Sequence, residues 1–128
     1  MPDAARKQAA ERVRLAATSV ALRDQYDAVL NRHPSLAGRL TPLRAAVAEH
    51  VTALAGTVAP ASAPSLAASP VPAGPGDALK ALAAAERRTS DAHTASLSDA
   101  EPELARLLAS VAAAGAAHAY LLTKADAR

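Results

Sequence analysis

Three residues in this chain have the chemistry of metal ligands and the spacing of core positions: His50, Glu86 and His118. Each interrupts an apolar seam read in steps of three and four. One seam runs Leu36, Leu40, Leu43, Val47, His50, Leu54; the next Leu79, Leu82, Glu86, Thr89, His93, Leu97; the last Leu104, Leu107, Val111, Gly115, His118, Leu122. Steps of that size keep a set on one helix face. A polar side chain on a buried stripe costs free energy unless it finds a partner. Two imidazoles and a carboxylate from three helices form a ligand set for zinc, copper or iron. The plainer reading is that each histidine is hydrogen-bonded inside the core and that Glu86 pairs with an arginine, Arg44, Arg87 or Arg106 being the candidates.

The remaining polar residues offer less. His93 lies seven residues after Glu86, about 10 Å along the helix, too far to share one ion, and is expected at the helix boundary in a structural role. His33 precedes proline and is expected to cap the first helix. Asp24 and Asp27 could supply carboxylates near the His33-Pro34 end. Tyr26 and Tyr120 read as packing residues. There is no Ser/His/Asp grouping, phosphate loop or zinc-protease motif. Cysteine is absent, which removes disulfides, thiolate ligands and a cysteine nucleophile.

Four helices must position these residues. The first is expected from about Ala4 to Arg32, capped by Asp3 and ended by His33-Pro34, since the residue before proline avoids the α region. Two stripes compete on it: Val13, Ala17, Val20, Asp24, Asp27 against Leu15, Leu22, Tyr26, Val29. The second is expected from about Ser35 to Ala55, stopped by Gly56, with Pro42 marking either a restart capped by Thr41 or a kink. Residues 57–76 hold five of the nine prolines and no charge. They read as a linker long enough to cross from one end of a bundle to the other. The third helix is expected from an Asp77 cap to about Leu97, and the fourth from Asp99–Pro102 to about Lys124, with Glu101 and Glu103 suited to its positive end. A short turn makes the last two helices antiparallel neighbours. The fold class is all-α: a single-domain antiparallel four-helix bundle with a long crossover between helices two and three.

Composition sets the material of that bundle. Alanine fills 38 of 128 positions, while Phe and Trp are absent, so the core is Leu, Val and Ala. Gly115 costs helix stability of about 1 kcal/mol relative to alanine, which points to close helix contact or a small cavity beside His118. Residues 1–44 carry eight Lys/Arg against four acids and the rest carry six against eight. That mild bias, without interleaved aromatics, does not mark a nucleic-acid binder. No apolar run approaches the ~20 residues of a membrane span, and no transmembrane segment is expected. Met1-Pro2-Asp3 does not read as a signal peptide, so the compartment stays open: cytoplasmic as the chain stands, extracytoplasmic or lipid-anchored if a leader has been removed.

His33-Pro34-Ser35-Leu36-Ala37 through Leu43-Arg44 to His50, and Ala84-Ala85-Glu86-Arg87 through Leu104-Ala105-Arg106-Leu107-Leu108 to His118, resemble the ferritin-like superfamily. The likeness is to small actinobacterial ferritin-like domains of unassigned function, often found behind a lipoprotein signal. The resemblance implies a bundle core able to hold two irons between one Glu from each of two helices and a Glu-x-x-His pair from each of the other two. This chain departs from that pattern. The pair glutamates would fall at Val47 and Gly115, and helix one presents Val20 and Ala17 at the level of His50. What survives is His50, Glu86 and His118. The expected function is therefore a non-catalytic ferritin-like domain acting as a structural or interaction module, without a resident cofactor and with a homodimer through helix-one or helix-two faces. The alternatives are a metal-binding protein using His50, Glu86 and His118, and a carrier of a small apolar ligand in the bundle core.

Overall fold

The computed structural model describes residues 2–56 and 70–124. Among them the chain is all-helical: α1 (Pro2–Arg32), α2 (Ala37–Ala55), α3 (Pro75–Ala95) and α4 (Pro102–Lys124), with single 3-10 turns at Pro34–Leu36 and Leu97–Asp99. α1 packs most closely on α2 and α3 on α4, with thinner contacts between α1 and α3 and between α2 and α4.

Of the two stripes on α1, Leu15, Leu22, Tyr26 and Val29 form the core face, all at most 4% exposed. Asp24 stays in solvent, and Asp27 forms a two-pronged bond with Arg44 of α2 (Nε–Oδ1 2.9 Å, Nη2–Oδ2 3.1 Å). That pairing takes Arg44 away from Glu86.

Pro42 neither restarts nor interrupts α2. It lies in the second turn, and the carbonyl it leaves unpaired belongs to Gly38, whose Cα faces open space. Water can satisfy that carbonyl, because Gly38 is exposed. α2 ends as expected at Gly56, whose φ of +64° is readily adopted only without a side chain. Arg12 of α1 lies over this end and donates to the carbonyl of Leu54 at 3.2 Å. Arg39, early in α2, donates to the carbonyls of Leu121 and Leu122 at 2.9 Å and closes the end of α4 in the same way. A guanidinium there meets the unpaired carbonyls and the negative end of the helix dipole.

α3 begins two residues before the expected Asp77 cap: Pro75 takes the first helical position and Gly74 the cap position, with Asp77 in the first turn. Proline suits that position because its missing N–H would be unpaired there anyway. Glu101 caps α4, accepting from the N–H groups of Leu104 (2.8 Å) and Glu103 (3.1 Å). The part of the expected linker at residues 57–69 lies outside the described residues. The part that is described does not behave as a spacer: Val71 packs against the core, and the Pro72 carbonyl accepts from His33 Nε2 at 2.9 Å. His33 follows the last residue of α1, where its backbone N–H donates to the Val29 carbonyl at 2.8 Å, and its side chain ties α3's approach to that end.

The apolar core is in two parts. One gathers Leu22, Tyr26, Val29, Leu40, Val47, Leu79, Leu82 and Leu122; the other Leu15, Leu54, Leu104, Leu108 and Val111. Between the two parts each helix places a polar side chain in the core, Ser19 on α1, His50 on α2, Glu86 on α3 and His118 on α4, beside Gly115 and the buried apolar Val20, Val51 and Ala112.

Candidate functional site

That polar layer is the candidate site, and each helix contributes to it. Glu86 is 1% exposed, in the middle of α3. Its Oε2 accepts from Tyr26 Oη of α1 at 2.6 Å and from His118 Nδ1 of α4 at 2.9 Å. The His118 ring stacks on His50 of α2, with centroids 6.2 Å apart and planes inclined by 14°. Tyr26 is fully buried. Burial, reinforced by the neighbouring Glu86 carboxylate, pushes its hydroxyl far above the ordinary tyrosine range, so it remains a donor.

Gly115 explains how α3 and α4 come close enough. A Cβ at this position would lie 3.3 Å from Ser90 Cβ, 3.4 Å from Glu86 Oε1 and 3.5 Å from the Glu86 carbonyl oxygen. Beside it, Ser90 Oγ donates to the Ala112 carbonyl at 2.8 Å. The glycine is therefore a contact residue, and the space a glutamate would need there is filled by Glu86 itself.

His93 is fully buried, one layer along α3, where a boundary position was expected. Its Nε2 lies 3.5 Å from the Leu15 carbonyl, and its Nδ1 is the one buried side-chain N or O atom without a partner among the described residues. Burial pushes its pKa below the ordinary histidine value, and the nearby His50 and Arg14 push the same way against the Leu15 carbonyl. His50 is also pushed down, first by burial and then by His118.

The structure thus brings together His50, Glu86 and His118, the three residues singled out in the sequence. The pairing of Glu86 with an arginine is corrected: Arg44 serves Asp27, Arg106 lies 3.5 Å from Glu103, and Arg87 is exposed. No group of three or more His, Cys, Asp or Glu side chains among the described residues is arranged to hold a metal ion. Glu86 serves His118 as a hydrogen-bond acceptor instead. The residue that sequence reasoning missed is Tyr26. The signal for it was present, because a tyrosine on the same stripe as Leu22 and Val29 must bury its hydroxyl and so needs a partner.

Comparison with protein-family models, with curated proteins and with solved structures found no match.

Proposed function

We propose that this chain is a non-catalytic ferritin-like domain, an antiparallel four-helix bundle acting as a structural or interaction module. Its polar layer is an internal tie that sets how the helices pack. The observation that carries the reading is the bonding of Glu86. Its Oε2 is occupied by Tyr26 and His118 and its Oε1 lies under Gly115, so the carboxylate is directed to neighbouring helices rather than to an open coordination position. Buried polar networks that are satisfied internally specify one packing among many that an Ala- and Leu-rich core would accept. The antiparallel arrangement is supported by contacts between opposite ends of neighbouring helices: Arg12 with Leu54, Arg39 with Leu122, and His93 with Leu15.

One observation favours the second reading, a metal-binding protein. His118 gives Nδ1 to a carboxylate, which leaves Nε2 as the free nitrogen, and this is how ligating imidazoles are commonly oriented. With His50 stacked beside it, the pair is the natural starting point for zinc, copper or iron. The third reading, an apolar-ligand carrier, gains less. The clefts found are open ones at the surface, such as that beside Arg12, Gly56, Glu103 and Leu107, and their walls mix charged and apolar groups.

Elemental analysis of protein purified without chelator, with thermal melts in added Zn²⁺, Cu²⁺ and Fe²⁺, separates the first two. The proposal expects no stoichiometric metal and no rise in melting temperature. Retained metal that disappears in both His50→Gln and His118→Gln overturns it in favour of the second reading, because a ligand that binds only the native state must stabilise it.

A further inference from the structure

We propose that the outward face of α4 pairs with the same face of a second copy of this chain, the two helices running antiparallel and crossing at Ala113 and Ala114. The inference rests on the interaction-module reading and supplies its partner, placing the homodimer on α4 and not on the helix-one or helix-two faces expected from the sequence.

α4 is the most apolar helix of the four. It is long and apolar enough to cross a membrane, with a mean hydropathy of 1.3 over its best window. Burial inside the fold accounts for its inward face, from Leu104 through Gly115 and His118 to Leu122. It leaves the opposite face unexplained. Between Arg106 and Lys124 that face carries no charge, whereas exposed Lys7, Arg14 and Asp24 mark α1, Glu49 marks α2, and Lys80, Arg87 and Asp91 mark α3. Among the described residues the two large hydrophobic ones left exposed both lie on it, Tyr120 at 56% and Leu121 at 52%.

Glu103, Ser110, Ala117 and Lys124 stand seven residues apart and so fall close to one row along the helix, drifting by about 20° at each step. The stripe is also self-complementary when reversed on itself. With the crossing at Ala113 and Ala114, Glu103 meets Lys124 of the second copy, Leu107 meets Tyr120, Ser110 meets Ala117, and Arg106 lies beside Leu121 and the Tyr120 ring. Every contact occurs twice, as a two-fold interface requires. Small residues at the centre let the helices approach closely, and large ones fill the flanks. Parallel pairing would set Glu103 on Glu103 and Lys124 on Lys124, so the charges select the antiparallel arrangement. Glu103 is free to re-pair, since its bond to Arg106 is exposed on both sides, and Lys124 lies over Tyr120, its Nζ 5.3 Å from the ring centroid. The stripe is about 32 Å long and one helix wide, which places the interface in the weak class.

Sedimentation equilibrium from ~5 to ~500 µM, a range suited to a weak interface, tests the proposal. The expected result is a concentration-dependent dimer. Ala113→Glu, at an exposed position, should remain monomeric throughout with wild-type circular dichroism and melting. Lys124→Glu should raise the dissociation constant on the order of 10-fold, because it turns an attraction into a repulsion at both ends. The double variant Glu103→Lys with Lys124→Glu should restore dimerisation, and this charge swap decides the matter if Ala113→Glu fails to fold. A wild type monomeric across the range, a dimer indifferent to Ala113→Glu, or a double variant no better than the single one overturns the proposal. So does co-sedimentation of monomers with phosphatidylcholine vesicles, which would assign the face to a lipid surface. None of these outcomes touches the metal and melting tests of the polar layer, so the two readings fail separately.

Discussion

His118 Nδ1 lies 2.9 Å from Glu86 Oε2, and Tyr26 donates to the same oxygen at 2.6 Å. A single buried oxygen thus joins α1, α3 and α4. Removing either donor changes the environment of the other, so the two bonds should not behave as independent terms.

The first prediction measures that coupling. Tyr26→Phe and His118→Gln should each destabilise by roughly 1–3 kcal/mol, the range for hydrogen bonds to a charged group and for a buried acceptor that loses a partner. The double variant should depart from additivity by at least ~0.5 kcal/mol. Urea denaturation of the four proteins checks it. Strict additivity would mean that the oxygen does not link the two side chains energetically.

The second concerns pH. His50 and His93 are both pushed below the ordinary histidine value by burial. Near pH 6.5 the unfolded chain therefore binds more protons than the folded one, and stability rises with pH there. The protein should be at full strength above that value and weaken as pH falls through it toward the folded-state values. The fall should level off once both states are protonated. His93→Leu should flatten the slope and stabilise the acid end most, because it removes a fully buried ring whose Nδ1 has no partner. Denaturant midpoints from pH 7.5 to 5, which bracket the ~6.5 reference, provide the check. An unchanged slope in His93→Leu would contradict it.

The third concerns Gly115. Gly115→Ala gains helix propensity of about 1 kcal/mol but places a methyl 3.3 Å from Ser90 Cβ and 3.4 Å from Glu86 Oε1. The two effects should nearly cancel, leaving a change within ~1 kcal/mol. Gly115→Glu should prevent folding, because it drives a second carboxylate against Glu86 in the core. A folded Gly115→Glu protein would show that the α3–α4 contact yields more readily than its geometry implies.

The fourth concerns the approach to α3. Val71→Ser should cost roughly 1–2 kcal/mol for lost apolar burial, and His33→Ala about 1 kcal/mol for the bond to the Pro72 carbonyl. Both should leave helical content unchanged by circular dichroism. Losses near zero for both would return residues 70–72 to the role of a spacer.

The helices and their seams were legible because each seam repeats over four or more turns. Leu40, Val47, Leu82, Leu104 and Leu122 are all buried as their spacing requires. The polar interruptions were legible as residues and not as bonds. A three- and four-residue repeat tells which face His118 occupies, but not how far along its axis the neighbouring helix is shifted. That shift decides whether Glu86 meets His118, Arg44 or Arg106. The same limit hid Tyr26, whose partner lies 60 residues away. The local errors have local causes: Thr41-Pro42 has the chemistry of a helix start, but the preceding turn supplies its own helical bonds and the exposed Gly38 carbonyl is left to water. Asp77 is a good cap that Pro75 pre-empts, because proline's fixed φ begins the helix two residues earlier.

Arg12 and Arg39 have a consequence for the order of assembly. The last carbonyls of α2 are met by a guanidinium from α1, and those of α4 by one from α2. Among the described residues, these carbonyls take their donors from a neighbouring helix. Those turns should therefore lack full protection in isolated peptides and become protected only when the donor helix docks, which makes helix length a reporter of tertiary order. In native-state hydrogen exchange, the final amides of α4 should open together with the first turns of α2, more than 80 residues earlier in the chain, as one cooperative unit. Arg39→Ala should uncouple them, leaving the last turn of α4 to fray without disturbing the rest.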